Sequence, residues 1–219
     1  MSFIETYRTI LQPAGSELII KKSRFIAQLQ IVHDRAAANA FLEQIKKQHP
    51  KANHHCFAYQ IKGQTLQQHF SDAGEPSGTA GAPILNVLEQ KALQDVICVV
   101  TRYFGGIKLG AGGLIRAYGQ AATQGVRACG IAQGIPQIAY HLTVSYAQFE
   151  RVKYYLEQAK IDLVDPAYST DVQATIWLDS QHAEQHCHEL KNLTNGQIKL
   201  KAGKTAFRQV PIIAPQSTP

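Results

Sequence analysis

The chain is 219 residues long, with 45% hydrophobic residues, 17% charged residues and a formal net charge of +6. That apolar content builds a real core, in one large domain or two small ones. No apolar run approaches the roughly 20 residues a spanning helix needs, and nothing resembles a signal peptide, so neither a spanning helix nor a leader is expected.

Cys56, Cys98, Cys129 and Cys187 stand far apart with no CxxC pairing, and read as reduced thiols of a cytoplasmic protein. The charge is uneven. Residues 1–133 hold 14 Lys and Arg against 8 Asp and Glu, whereas residues 134–219 hold 8 against 8, so the whole basic excess lies in the first part. Such an excess can attract phosphate backbones and is also ordinary for a soluble domain.

In chain order, residues 1–14 predict only an extended lead-in. Residues 17–20 and 25–32 predict strands, separated by Lys21, Lys22, Ser23 and Arg24. That basic cluster reads either as a solvated hairpin or as a phosphate contact, with Lys21, Lys22 and Arg24 the candidate RNA ligands. Ala38, Phe41, Leu42 and Ile45 keep the spacing of an amphipathic helix, capped by Asp34 and ended by Pro50. Lys46, Lys47 and His49 in its last turn oppose the helix dipole. His54, His55 and Cys56 then open a strand in which Phe57, Tyr59 and Ile61 alternate, and Lys62 and Gly63 turn it toward a second strand ending at Phe70. A metal site drawn from His55, His69 and Asp72 is disfavoured, because adjacent strand residues face opposite ways. A histidine turned toward the glycine loops remains as a hydrogen-bonding member of the site.

Two glycine-rich segments follow, FSDAGEPSGTAGAPIL at 70–85 and VVTRYFGGIKLGAGGLIRAYG at 99–119. In the first, Asp72, Glu75, Ser77 and Thr79 sit among Gly74, Gly78 and Gly81, and Pro76 and Pro83 stiffen the turns, the make-up of a preorganised surface loop. Its carboxylates suit a metal or general-acid role, or ion pairing with Arg102 or Arg116, and pairing is the plainer reading. Pro83 fits the first turn of a helix carrying Ile84, Val87 and Leu88. Residues 96–100, VICVV, predict a strand buried on both faces. After it, five of nine positions from Gly105 to Gly113 are glycine, and Leu114, Ile115, Tyr118 and Ala122 then keep helical spacing.

A strand, a glycine loop and a helix start bring backbone N–H groups beside Arg102, Lys108 and Arg116, a recipe for holding an anion at Gly110, Gly112 and Gly113. Neither a Walker A loop nor a dinucleotide fingerprint fits: Ala111 follows Gly110 where a lysine is required, and Ile115 stands where a small residue is needed. The alternative is that these glycines only let a helix pack tightly on a sheet.

Residues 130–137, GIAQGIPQ, predict a linker. Beyond it come a strand at 138–146, a helix marked by Phe149, Val152, Leu156 and Ala159, strands at 161–164 and 172–178 across an Asp165-Pro166 turn, a helix marked by Ala183, Cys187 and Leu190, and a last strand containing 198–200. Strand, helix, strand, strand, helix, strand is the ferredoxin-like order. His182 and His186 are four apart but lack the adjacent glutamate of a zinc-protease motif, and a solvated helix face is the plainer reading. The expected organisation is α+β: a first domain at 1–133, a ferredoxin-like domain at 134–213, and a disordered tail at 214–219.

The string SDAGEPSGTAGAPIL, followed by VVTRYFGGIKLGAGGLIRAYG, resembles the Impact family in its bacterial YigZ-type branch. KKSRFIA at 21–27 and HPKANHHCFAY at 49–59 extend the resemblance, and the C-terminal part looks like that branch's second domain. The motif carried over comprises Asp72, Gly74, Glu75, Pro76, Ser77, Gly78, Thr79, Gly81, Arg102, Tyr103, Gly105, Gly106, Gly110, Gly112 and Gly113. The resemblance implies a first domain with the ribosomal-protein-like α/β fold found in translation factors, and a second like the ferredoxin-like domains of elongation factor G. Eukaryotic relatives regulate translation by competing for the activator of a starvation-sensing kinase, using an added N-terminal domain; the residues before Lys21 are too few for one, so that partner is not carried over. The family has no established catalytic residue to carry over, and no cofactor or metal is expected.

The leading expectation is a non-enzymatic, translation-linked protein whose basic first domain contacts RNA or the ribosome, while the neutral second domain contributes little affinity. The runner-up is an enzyme acting on a phosphorylated small molecule at the paired glycine loops, for which Ser77, Thr79, His55 and Glu75 are the nearby groups. A third reading is a module that binds only a protein partner.

Overall fold

A computed structural model describes residues 6–63 and 65–213. The expected tail at 214–219 lies outside the described residues. The chain forms two compact units, with Tyr7–Gly134 the body of one and Ile135–Arg208 the body of the other. Among the described residues no helix is long and apolar enough to cross a membrane.

The first unit is built on a five-stranded antiparallel sheet in the order β2 (Ala14–Ile20), β3 (Ser23–Ile31), β6 (Val96–Tyr103), β4 (His54–Ile61), β5 (Gln67–Ser71). The central strand decides the layering. Val96, Cys98 and Val100 of β6 pack with α2 (Gly81–Gln90) and α3 (Ala111–Cys129) on one face, and Ile97 and Val99 pack with Ala38, Leu42 and Ile45 of α1 (Arg35–Gln48) on the other. A strand apolar at every position is thereby buried on both faces, as the run VICVV predicts. Asp34 caps α1 by accepting from the Ala37 amide at 2.7 Å. On the opposite face α3 comes close to β3, since a Cβ on Gly125 would stand 2.5 Å from Leu29 Cδ1.

At the ends of this unit the extended lead-in contains β1 (Tyr7–Ile10), and the residues expected as a linker, 130–137, are built as strand: β7 runs over Ile131–Val144 and its first residues pair antiparallel with β1. The reason is burial. Gly130, at φ 69°, turns the chain out of α3, and Ile131 and Ala132 then enter the core at 5% and 0% exposure.

The second unit runs on from β7 through α4 (Tyr146–Gln158), β8 (Leu163–Tyr168), β9 (Val172–Asp179), α5 (Ala183–Leu193) and β10 (Lys199–Ile213). Its strands lie in the order β10, β7, β9, β8, which is the ferredoxin-like arrangement. Phe149, Val152 and Leu156 of α4, with Ala183 and Leu190 of α5, cover Leu142, Val144, Val172, Ala174, Ile176 and Leu178. The expected Asp165-Pro166 turn is instead a bulge inside β8, with Asp165 at φ 51° and the pairing register shifted between Val164 and Ala167. The chain reverses farther on, where the Ser169 amide donates to the Asp171 carbonyl.

Candidate functional site

The loop between β5 and α2 is organised by Asp72. Its carboxylate accepts from the backbone amides of Gly78 (2.8 Å), Ala80 (2.9 Å) and Gly81 (2.8 Å), doing for α2 what its N-cap residue Ala80 has no side-chain oxygen to do. Partial burial works to raise the Asp72 pKa, but these three donors outweigh it and hold the carboxyl below its ordinary range. The Thr79 hydroxyl donates to the Pro76 carbonyl at 2.6 Å, closing the same loop. Ser77 and Gly78 stay exposed at its tip, and Gly74, at φ 89°, packs against the His54 ring.

Glu75 points inward. Arg102 Nη1 donates to Glu75 Oε1 at 2.6 Å, and the Tyr118 hydroxyl donates to the same oxygen at 2.8 Å. The other arm, Arg102 Nη2, reaches Ser23 Oγ at 3.3 Å, which also accepts from the Gly105 amide. The guanidinium stands 5.3 Å from the Phe25 ring centroid and 5.5 Å from that of Phe104. Cys56 Sγ donates at 2.9 Å to the Asp72 carbonyl and lies 3.3 Å from the Tyr118 hydroxyl. Burial pushes the Cys56 thiol up to about 12, against the lowering contact with Tyr118. Burial likewise raises the Tyr118 hydroxyl, as do its neighbours Cys56 and Glu75. Neither group ionises near neutral pH.

Glu75 and Thr79, expected on the surface, are therefore buried, and Arg102, expected to face an anion, has its charge matched inside the protein by Glu75. Of the ion pairs open to the sequence, Glu75 with Arg102 is the one formed. Arg116 is exposed and makes no ion pair among the described residues.

Between the two glycine segments a cavity of about 370 Å³ opens at the start of α3, walled by His54, Glu75, Arg102, Phe104, Lys108 and Gly110. Gly110 caps α3 at φ 69° with no side-chain acceptor, leaving the first amides of the helix facing outward. Gly113 is tight against Leu109, whereas a Cβ on Gly112 would meet only the flexible tip of Arg116 at 3.7 Å. His54 Nδ1 lies 3.0 Å from the Ala73 carbonyl and Nε2 3.9 Å from Glu75 Oε1, so the histidine turned toward the loops is His54.

The basic hairpin joins the same region. Lys21 and Lys22 form its two-residue tip with φ of 45° and 66°, and both are exposed. A Cβ on Gly105 would lie 2.0 Å from the Lys22 carbonyl carbon, so the hairpin tip rests directly on the glycine loop, three residues before Lys108. Arg24 is not available in the same way: it makes two hydrogen bonds to Glu17, at 2.7 and 3.0 Å, and stands over the Tyr103 ring.

The histidine sets drawn from the sequence do not converge. His69 packs with the rings of Phe57 and Tyr59, Asp72 is the α2 cap, His182 ends the turn into α5, and His186 bonds the Tyr155 hydroxyl at 2.6 Å. Among the described residues no three metal-ligating side chains gather. Sequence reasoning missed Ser23, Phe104, the polar role of Tyr118, and Asn53, which lines the cavity and accepts from the Phe104 amide at 2.8 Å. A tyrosine among the apolar positions of a helix is a readable signal, since a buried hydroxyl needs a partner.

Residues 21–126 match the model of the Impact N-terminal domain, and residues 142–197 match a model described as a domain of unknown function. The chain is 37% identical over 204 residues to the IMPACT family member YvyE of Bacillus subtilis, covering 93% of this chain and 94% of that one. The chain belongs to the Impact family. It is similar to the IMPACT family member YigZ of Escherichia coli, at 35% identity over 84% of this chain and 91% of YigZ, which sets it in the YigZ-type branch. The Protein IMPACT homolog of Dictyostelium discoideum shares 34% identity over 100 residues, 44% of this chain and 28% of that protein. Among solved structures, one titled as the crystal structure of a hypothetical protein superposes with a TM-score of 0.60 at 33% identity, covering 92% of this chain and 99% of that one. The Impact N-terminal match spans the whole site, from Lys21 through Tyr118.

Proposed function

We propose that this Impact-family chain is a non-enzymatic, translation-linked binding protein whose first unit contacts RNA, including RNA on the ribosome. The observation that carries this reading is the separation of charge at the site. Arg102 and Glu75 neutralise each other inside, while Lys21, Lys22, Lys108 and Arg116 are exposed around the start of α3 without an acidic partner within 4.0 Å among the described residues. Unpaired exposed cations beside free helix amides attract phosphates over a broad surface. Cys56 and Tyr118, joined to Glu75 in one hydrogen-bonded chain, are held protonated, which favours binding over chemistry.

The test is fluorescence anisotropy of the full chain with a labelled structured RNA across a salt series. Log affinity falls with log salt by roughly 0.7 to 0.9 per phosphate contacted, and Lys21→Glu with Lys22→Glu flattens that slope. Salt-independent binding, or an unchanged slope in the double variant, removes the support. A second reading rests on the 370 Å³ cavity, whose Lys108 and α3 amides suit the phosphate of a small molecule; for that reading, thermal stabilisation of the chain by a phosphorylated metabolite, lost in Lys108→Ala, is the decisive result.

A further inference from the structure

The net charge of residues 134–219 is zero, but it is not spread evenly. Lys199, Lys201, Lys204 and Arg208 all lie on β10, with no acidic residue on that strand. The rest of residues 134–219 holds 4 Lys and Arg against 8 Asp and Glu, so a charge of +4 on one strand is cancelled by −4 elsewhere.

That strand borders the sheet face turned away from α4 and α5, on which His141 and Gln173 are exposed, Thr175 and Trp177 half-buried and Ala139 buried. Val172, Ala174, Ile176 and Leu178 of β9 are packed in the core with α4 and α5, so Gln173, Thr175, Trp177 and Asp179 turn to the other side. In β7 the alternation puts Ala139, His141 and Thr143 beside them, paired with Trp177, Thr175 and Gln173. His141 Nδ1 lies 3.1 Å from Thr175 Oγ1. Leu200 packs with the core under α4 and α5, so its neighbours Lys199 and Lys201 turn to this face; Lys204 Nζ is 6.0 Å from the Trp177 ring centroid, and Arg208 is 3.7 Å from Asp179, whose carboxylate also accepts from Gln137.

We propose that this sheet face binds single-stranded RNA, with a base stacked on the half-buried Trp177 and the phosphates on Lys199, Lys201 and Lys204. The reading is independent of the site on the first unit. A sheet face carrying an aromatic ring, hydrogen-bonding side chains and a row of cations is the make-up of a single-strand platform, because every base offers a π-face and the backbone follows the charge. A protein partner fits less well: His141, Thr175 and Gln173 offer little apolar area to bury. The only acid pointing to this face from β9, Asp179, is already paired.

The sequence holds one tryptophan, so emission of the full chain reports this face alone. Titration with a 5′-labelled oligouridylate of about 12 nucleotides, read by Trp177 emission and by anisotropy of the label, gives saturable quenching. For three phosphate contacts, affinity falls about tenfold when salt is raised threefold. Lys201→Gln with Lys204→Gln weakens the quenching curve roughly tenfold, while circular dichroism shows the fold unchanged. Three outcomes overturn the proposal: anisotropy that saturates with Trp177 emission unmoved, quenching that survives the double substitution, or equal quenching by polyglutamate. Equal binding of oligodeoxythymidylate overturns the assignment to RNA. Failure here leaves the first-unit reading standing, since Lys21 and Lys22 are tested by anisotropy alone.

Discussion

Arg102 Nη1 stands 2.6 Å from Glu75 Oε1, with 6% and 4% of the two side chains exposed, which joins the two glycine segments through one buried ion pair. The Glu75 oxygen that takes this bond also takes the Tyr118 hydroxyl, so β6, α3 and the loop before α2 meet at a single atom.

Removing one partner strands a charge away from water. Arg102→Ala is expected to lose on the order of 3–5 kcal/mol in chemical denaturation, whereas Arg102→Met combined with Glu75→Gln loses much less. A double-mutant cycle checks this, and an additive result would show the pair to be uncoupled.

Asp72 makes the stability of α2 depend on acid. Its folded carboxyl is more acidic than the ordinary value of 3.8, so its contribution is fully present above that value and disappears as pH falls through the lower folded value. Asp72→Ala is expected to cost about 1–2 kcal/mol at neutral pH and to flatten the loss of stability as pH falls below about 4. Urea melts across that range, wild type beside variant, measure it.

The glycines separate into two kinds. Gly105→Ala drives a methyl into the Lys22 backbone at 2.0 Å and is expected to destabilise by about 3 kcal/mol or to lift the hairpin off the loop. Gly112→Ala meets nothing rigid and should stabilise α3 by about 0.5–1 kcal/mol. If RNA approaches the first turn of α3, the second variant is also the weaker binder. Thermal melts paired with anisotropy decide both.

Thiol labelling follows burial. Cys56, Cys98 and Cys129 are buried, burial holds all three thiols above their ordinary range, and Cys187 is half-buried. At pH 8 iodoacetamide is expected to modify Cys187 first and the other three only in denaturant. Mass spectrometry of the time course tests it.

The layering of the first unit and the topology of the second were legible, because VICVV can only be buried on both sides and because Phe149, Val152 and Leu156 keep one helix face. The ends of elements were less so. Gly130 and Gly134 look like linker residues in isolation, and only pairing with Tyr7–Ile10 makes residues 131–134 a strand. Within the site, spacing could place Glu75 and Arg102 in facing loops but could not say which acid Arg102 would take, since that choice is made by Tyr118 and Ser23 from two other elements. The charge of the second unit was hidden for a simpler reason: a sum over 86 residues, 134–219, does not register that four cations share one strand.

Lys21 and Lys22 occupy left-handed backbone positions at the tip of a two-residue hairpin, where Asn-Gly is the favoured pair. The chain holds two lysines at positions that a sequence chosen for durability alone would give to other residues. Laboratory evolution toward heat resistance, with no demand on binding, would replace this pair early, and the survivors would be hardier proteins with a blunted pull on phosphate. Retention of both lysines in such lineages would mean that the hairpin tip holds itself in place by some means other than charge.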